Sequence, residues 1–276
     1  MNLITAIKKT ITKRPSMPVL VGALMLAAAV FNALIPVMAM IVGIINMTGG
    51  GFFDSVMSII QLLIDPDNLP TILIAAAGSA ILVSVVSGLL LPGFLMIVDD
   101  GLAMGKREKG LFARGIRRCF FRFFLMTLGL SFITLLLFVF LLVAAIPAII
   151  VTKAAASTNP DLTLVAVFID LITLAAFIMC LMFFKVYVYM WYIAAAKMEK
   201  RPFAAGKAVA GRIFGRAAVQ LLGFDIVFAA VIYLIYLNES QLLRYVLGWV
   251  FATAFFTTLA VYLVRLYNTG SGPEAG

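Results

Sequence analysis

Residues 123–151 contain no charged side chain, and this stretch limits the folds open to the chain more than any other feature. As a helix it is about 44 Å long, which exceeds the roughly 30 Å hydrocarbon core of a bilayer. Several other runs of about 20 or more residues carry at most one charge. Because unpaired strands are excluded from lipid, the sequence predicts an all-α, polytopic membrane helix bundle.

Charged residues and Gly/Pro clusters divide the chain into about six transmembrane helices. The predicted spans are residues 18–45, 71–98, 123–151, 162–191, 217–237 and 242–266. The first span follows a basic segment, as a signal peptide does, but it is too long for a signal h-region and we expect it to be retained. Residues 52–64 have apolar positions near helical spacing, which predicts an amphipathic helix on the outer surface or a lid packed on the bundle.

Lysine and arginine alternate along the chain between rich and poor gaps. They are frequent before the first predicted span, in the linker 99–122 and in the linker 192–216, whereas the other gaps are mainly acidic. Since cytoplasmic loops carry the excess of Lys and Arg, both termini are predicted to be cytoplasmic. The expected location is the cell (inner) membrane, crossed several times.

Two short motifs occupy equivalent places in these linkers. The first reads EKGLFARG over residues 108–115, and the second reads EKRPFAAG over residues 199–206, which is an offset of 91. Glu, Lys, Phe, Ala and Gly recur at the same positions. Each motif follows an even-numbered span, so the pattern predicts an internal repeat of two parallel halves, an arrangement that also occurs in transporters.

The first linker continues with an amphipathic pattern, in which apolar residues recur at helical spacing and arginines occupy the other positions. A cationic helix face of this kind attracts anionic lipid headgroups or a partner protein. The alternative is that the arginines only determine topology and anchor the next span. The predicted lipid or partner-binding residues are Arg114, Arg117, Arg118, Arg122, Arg212 and Arg216.

Three ionisable residues within the predicted spans form a candidate intramembrane polar site: Asp170, Lys185 and Asp225. A charge inside the bilayer is expensive and often functional. Lys185 and Asp225 lie at comparable depth, so a purely structural ion pair, or two independent interfacial charges, is favoured over a functional site for these two residues. Asp99 and Asp100 end the second span and are expected only to face the membrane interface.

The composition also excludes several kinds of protein. The net charge is +9, but the basic residues cluster at span ends, so membrane lipids rather than nucleic acid are the expected partners. The chain has no histidine and two cysteines, which removes the commonest general base and the commonest metal ligand. With no HExxH or GxSxG motif, we expect no catalytic residue, no metal site and no cofactor.

Six spans, a long first outer loop and two linkers that begin EK and continue through FA-x-G resemble poorly characterised bacterial membrane families. The nearest is the membrane domain associated with glycerophosphoryl diester phosphodiesterases. The chain lacks the soluble catalytic domain and histidines of those fusions, so their activity is not expected. The favoured hypothesis is a non-enzymatic protein that engages lipid or a partner complex. The alternative is a transporter or permease subunit that works with an ATPase and moves a small or lipidic substrate between its repeats.

Overall fold

The computed structural model describes residues 3–34, 65–67, 69–103, 108–157 and 162–271. Every regular element in these ranges is a helix, which confirms the predicted all-α class. The helices are α1 (Leu3–Lys13), α2 (Ser16–Leu34), α3 (Leu69–Leu102), α4 (Leu111–Ser157), α5 (Thr163–Ala196), α6 (Pro202–Tyr236) and α7 (Gln241–Ser271).

Helices α3 to α7 are each long and apolar enough to cross a membrane, and they overlap the last five predicted spans. Helix α2 covers the beginning of the predicted first span, and the rest of that span lies outside the described residues. The predicted outer helix at 52–64 also lies outside them. The chain is therefore an integral membrane protein with several apolar helices.

The structure differs from the sequence interpretation in how the basic linkers are organised. Helix α4 contains 47 residues, so it is about 70 Å long and includes both the arginine-rich part of the first linker and the third span. Helix α6 likewise joins the second linker to the fifth span. Its only proline, Pro202, stands at the first position, where a missing N–H has no cost. Much of each basic segment is therefore the N-terminal part of a spanning helix.

The chain divides into two compact units. The first contains Met1–Phe31, Val85–Leu125 and Met182–Gly276. Its core is formed by apolar side chains from α3, α5, α6 and α7 that exclude solvent completely or nearly so, including Val98, Val186, Met190, Leu221 and Val261. This unit holds all the motifs discussed below.

The second unit contains Asn32–Ser84 and Met126–Leu181. Its described helices leave large apolar side chains exposed, among them Leu136, Phe140 and Leu164. Apolar residues around the whole helix are expected where lipid is the surrounding solvent. Within this unit the Thr152 hydroxyl donates to the Asp170 carboxylate, at 3.0 Å from Oδ1 and 2.9 Å from Oδ2.

Helix α1 is a basic helix that the sequence interpretation did not predict. Its Ala6 and Thr10 are fully buried, whereas Ile4 is exposed. An added Cβ on Gly101 of α3 would lie 2.5 Å from Thr10 Cγ2, so only glycine permits this close approach. The N-terminal segment is therefore packed onto the end of α3 within the first unit.

Candidate functional site

A charged pocket lies where α3 and α5 end and α4 begins. Its volume is about 570 Å³, and we call it the basic-end pocket. Apolar side chains of α3, α5 and α7, including Leu95, Ile193 and Val264, form part of the lining. The charged residues of the lining are Asp99, Asp100, Glu108, Arg114, Arg118, Lys197 and Glu199. Both motif glutamates, which are 91 positions apart in the chain, therefore line one pocket.

The turn between α3 and α4 places the first motif. Gly110, which directly precedes α4, has φ +70°, a conformation that side chains disfavour. An added Cβ on Gly115 would lie 2.9 Å from both Gly93 Cα and the Pro92 carbonyl oxygen, so the two helices meet backbone to backbone. This contact brings the start of α4 to the end of α3 and directs Glu108 into the pocket lining.

The turn between α5 and α6 places the second motif. The N–H of Met198 donates to the Ala195 carbonyl at 3.2 Å, and the N–H of Glu199 donates to the Ala194 carbonyl at 3.2 Å. These two bonds are the pattern of a Schellman C-cap, in which Met198 takes the left-handed position, with φ 59°. Glycine usually occupies that position, so Met198 is strained.

The glycine of the second motif also marks a close helix contact. An added Cβ on Gly206 would lie 2.6 Å from Trp191 Cδ1 and 2.9 Å from the Met190 carbonyl oxygen. In each motif, therefore, the last glycine packs against the preceding helix. The motif phenylalanines behave similarly, since Phe112 lies over Gly93 and Phe203 contacts the Trp191 ring edge-on at 5.3 Å.

Basic residues from the N-terminal segment hold the end of α3. Arg14 is nearly fully buried, and its Nε and Nη2 lie 2.6 Å and 2.5 Å from Asp100 Oδ2. Its Nη2 also donates to the Glu108 carbonyl at 2.6 Å. Lys13 Nζ donates to the Asp100 carbonyl at 2.5 Å. The last carbonyls of a helix have no partner within it, so these cations complete the C-terminus of α3.

A second ion pair joins α5 to α3. Lys197 Nζ lies 2.9 Å from Asp99 Oδ1, and Asn268 Nδ2 lies 3.4 Å from the same oxygen. Lys197 also stands over the Tyr267 ring, 6.0 Å from its centroid. Asp99 and Asp100 were expected only to face the interface, but each binds a different cation in the structure. The sequence signal was present, since two carboxylates follow an apolar run and the N-terminus is basic.

The structure separates the six predicted binding arginines into two groups. Arg114 pairs with Glu108 at 2.7 Å, and Arg122 donates to the carbonyl oxygens of Glu199 and Lys200. The other four are exposed and form no hydrogen bond or ion pair with another described residue: Arg117, Arg118, Arg212 and Arg216. We call these four the untethered arginines.

The three predicted intramembrane residues do not form one site, because two of them pair with each other and the third contacts a threonine. Lys185 Nζ lies 2.5 Å from Asp225 Oδ1, and it also stands over the Tyr189 ring, 5.8 Å from the centroid. Both side chains are partly exposed. Asp170 instead accepts the two bonds from Thr152 described above. One part of the predicted polar site is thus an ion pair between α5 and α6.

Within the described ranges, no group of three or more acidic or cysteine side chains could hold a metal ion. Cys119 and Cys180 are both free thiols. Comparison with protein-family models, with curated proteins and with solved structures found no match.

Proposed function

We propose that this integral membrane protein is non-enzymatic and binds anionic phospholipid headgroups with the untethered arginines on its cytoplasmic side. One observation carries the proposal. At the start of α4 the apolar face is used for packing, because Leu111, Cys119 and Phe123 are buried. Arg117 projects away from this face, Arg118 lines the basic-end pocket beside it, and neither has a described partner. The guanidinium groups are therefore available to a ligand outside the fold.

The location in the chain supports a lipid ligand. The arginines stand in the N-terminal parts of helices that continue as apolar spanning segments, so they are expected near headgroup level of the cytoplasmic leaflet, with both termini on that side. A Lys or Arg near an anionic membrane surface contributes about 1 kcal/mol. Arg114 and Arg122 are excluded from the set because each already donates to a protein oxygen.

The proposal is tested by counting bound phosphatidylglycerol by native mass spectrometry, with the purified protein in a neutral detergent. Each Arg→Gln replacement among the untethered arginines should weaken binding about 5-fold. Raising the ionic strength from about 0.05 to about 0.5 M should weaken it further, since exposed charges are screened. Arg244→Gln, which removes one charge near the start of α7, is the matched control and should leave binding unchanged.

A quadruple Arg→Lys variant separates charge from geometry. It keeps four positive charges, so an electrostatic surface should retain most of its affinity. Unchanged phosphatidylglycerol binding after replacement of all four arginines by Gln would overturn the proposal. Binding that is insensitive to salt would argue against it as well.

A transporter or permease subunit, with an ATPase as partner, is the second candidate. It is favoured by the basic-end pocket, because each of the two EK motifs contributes a glutamate to it. Equivalent glycine contacts at Gly115 and Gly206 support the predicted internal repeat in the same way. The test is flux of a fluorescent phospholipid across proteoliposomes. Asp225→Asn should change the rate of transfer if Lys185 and Asp225 line the path. Equal transfer rates in vesicles with and without the protein would contradict transport.

A further inference from the structure

We propose that the basic-end pocket binds the zwitterionic headgroup of an aminophospholipid, with the phosphate on Arg118 and the primary ammonium on Glu199. Arg118 is shared with the untethered arginines, so its role in phosphate binding rests on the proposed function, whereas the role of Glu199 and the ammonium goes beyond it. The volume of about 570 Å³ falls within the range of roughly 300–1,000 Å³ that is typical of small-molecule sites.

The charges that line the pocket are mostly neutralised by the protein itself. Ion pairs join Lys197 to Asp99 at 2.9 Å and Arg114 to Glu108 at 2.7 Å. The carboxylate of Asp100 is likewise neutralised, by the buried Arg14 guanidinium. These pairs include five of the seven charged side chains in the described lining.

Two charged groups of the described lining remain. Arg118 and Glu199 are both exposed, and the side chain of neither forms a hydrogen bond or ion pair with another described residue. A purely anionic ligand would satisfy Arg118 but would be repelled by Glu199, and a purely cationic ligand would meet the opposite mismatch. A ligand that carries one phosphate and one ammonium neutralises both.

The lining also selects the kind of ammonium. Proteins bind quaternary ammonium groups such as choline with aromatic rings, whereas a primary ammonium donates three hydrogen bonds to oxygen acceptors. The described lining contains carboxylates and no aromatic side chain. Ethanolamine therefore fits better than choline.

The apolar part of the lining indicates a lipid rather than a free headgroup. Leu95, Met96, Ile193 and Val264 belong to helices that cross the membrane, and they stand beside the charged groups. A glycerol backbone and the first acyl carbons can contact these side chains while the headgroup contacts Arg118 and Glu199. Free phosphoethanolamine has no atoms that would contact them.

The experiment compares three phospholipids with identical acyl chains on delipidated protein in a neutral detergent, with binding measured by native mass spectrometry. Phosphatidylethanolamine should bind about 10-fold more tightly than phosphatidylcholine, which is the effect of roughly 1.4 kcal/mol of differential interaction. Glu199→Gln should abolish this preference, and Glu199→Asp should keep part of it. Glu239→Gln, an exposed acid in the turn before α7, is the matched control.

Phosphatidylglycerol separates this inference from the proposed function. Glu199→Gln should leave phosphatidylglycerol binding the same or stronger, because it removes a negative charge, whereas Arg117→Gln should weaken phosphatidylglycerol binding and leave the ethanolamine preference intact. Equal binding of phosphatidylethanolamine and phosphatidylcholine by the native protein, or a preference that survives Glu199→Gln, overturns the inference. If free phosphoethanolamine displaces phosphatidylethanolamine at a concentration similar to that of the lipid itself, the headgroup chemistry is supported and the assignment to lipid is overturned.

Discussion

Replacement of Arg14 by methionine should be the most destabilising single change at the pocket. The Arg14 side chain is 5% exposed and its Asp100 partner is 13% exposed, so the pair is nearly dry. Methionine keeps an apolar stem in the same space but removes the bonds to Asp100 Oδ2 and to the Glu108 carbonyl. The Asp100 carboxylate would then remain in the protein without its main partner.

The expected loss of stability is about 3 kcal/mol. Breaking a buried ion pair by removing one partner costs about 3–5 kcal/mol. We take the low end because Lys13 Nζ, which lies 3.6 Å from Asp100 Oδ2, still neutralises part of the charge. A loss of this size is about a 100-fold change in the unfolding equilibrium constant. Asp100→Asn leaves Arg14 uncompensated and should cost a similar amount.

The measurement is reversible unfolding in mixed micelles with a rising fraction of denaturing detergent. If the two residues act as a pair, the double variant Arg14→Met, Asp100→Asn should lose at least about 1 kcal/mol less than the sum of the single variants. Amide hydrogens of α1 should also exchange faster in Arg14→Met. Arg117→Met, which replaces an exposed arginine, is the control and should change stability by less than about 0.5 kcal/mol. Additive single effects would refute the reasoning.

Three further predictions follow from the same unfolding assay. Gly206→Ala should lower the free energy of unfolding by about 1–3 kcal/mol, because the added Cβ lies 2.6 Å from an indole carbon. Gly211→Ala adds a Cβ with nothing within 4 Å and should raise the free energy of unfolding by up to about 1 kcal/mol through helix propensity. Equal effects of the two changes would contradict this prediction. Met198→Gly should stabilise by about 1 kcal/mol by relieving the left-handed backbone, and a loss would show that φ is not strained. Lys185→Met should destabilise the protein because it leaves the Asp225 carboxylate without its cation, and the double variant Lys185→Met, Asp225→Leu should recover the native stability. A double variant that is less stable than Lys185→Met would refute a structural ion pair.

Much of the fold follows from local properties of the sequence. Uncharged runs long enough to cross a bilayer, with no strand pattern, predict helices, and every regular element among the described residues is a helix. The amphipathic pattern after the first EK motif also holds, since Cys119 and Phe123 are buried and Arg117 is exposed. Such features depend on residues within a few turns of one another, so one segment of sequence contains the whole signal.

Helix boundaries were harder to predict because both the linker and the span favour helix. No proline interrupts the chain between Leu111 and Phe123, so nothing stops α4 from starting in the basic segment. Charge marks where a chain leaves the hydrocarbon, but it does not mark where a helix begins. The sequence therefore indicated the membrane depth of the arginines, while the length of the helix was visible only in the structure.

The sequence by itself determined that this protein lies in a membrane as helices. Each segment has to be apolar along its own length and has to satisfy its own backbone hydrogen bonds in lipid, so both requirements can be read from that segment alone. Only the tertiary structure decided which charges are used within the protein and which stay available. Asp100 meets Arg14 from 86 positions away, and Lys197 meets Asp99 from 98 positions away. An ion pair acts over a few ångströms of space, and sequence separation does not encode that distance. Arg118 and Glu199 are candidates for ligand binding for the same reason, since packing gave their neighbours partners, whereas the side chains of these two form no hydrogen bond or ion pair with another described residue.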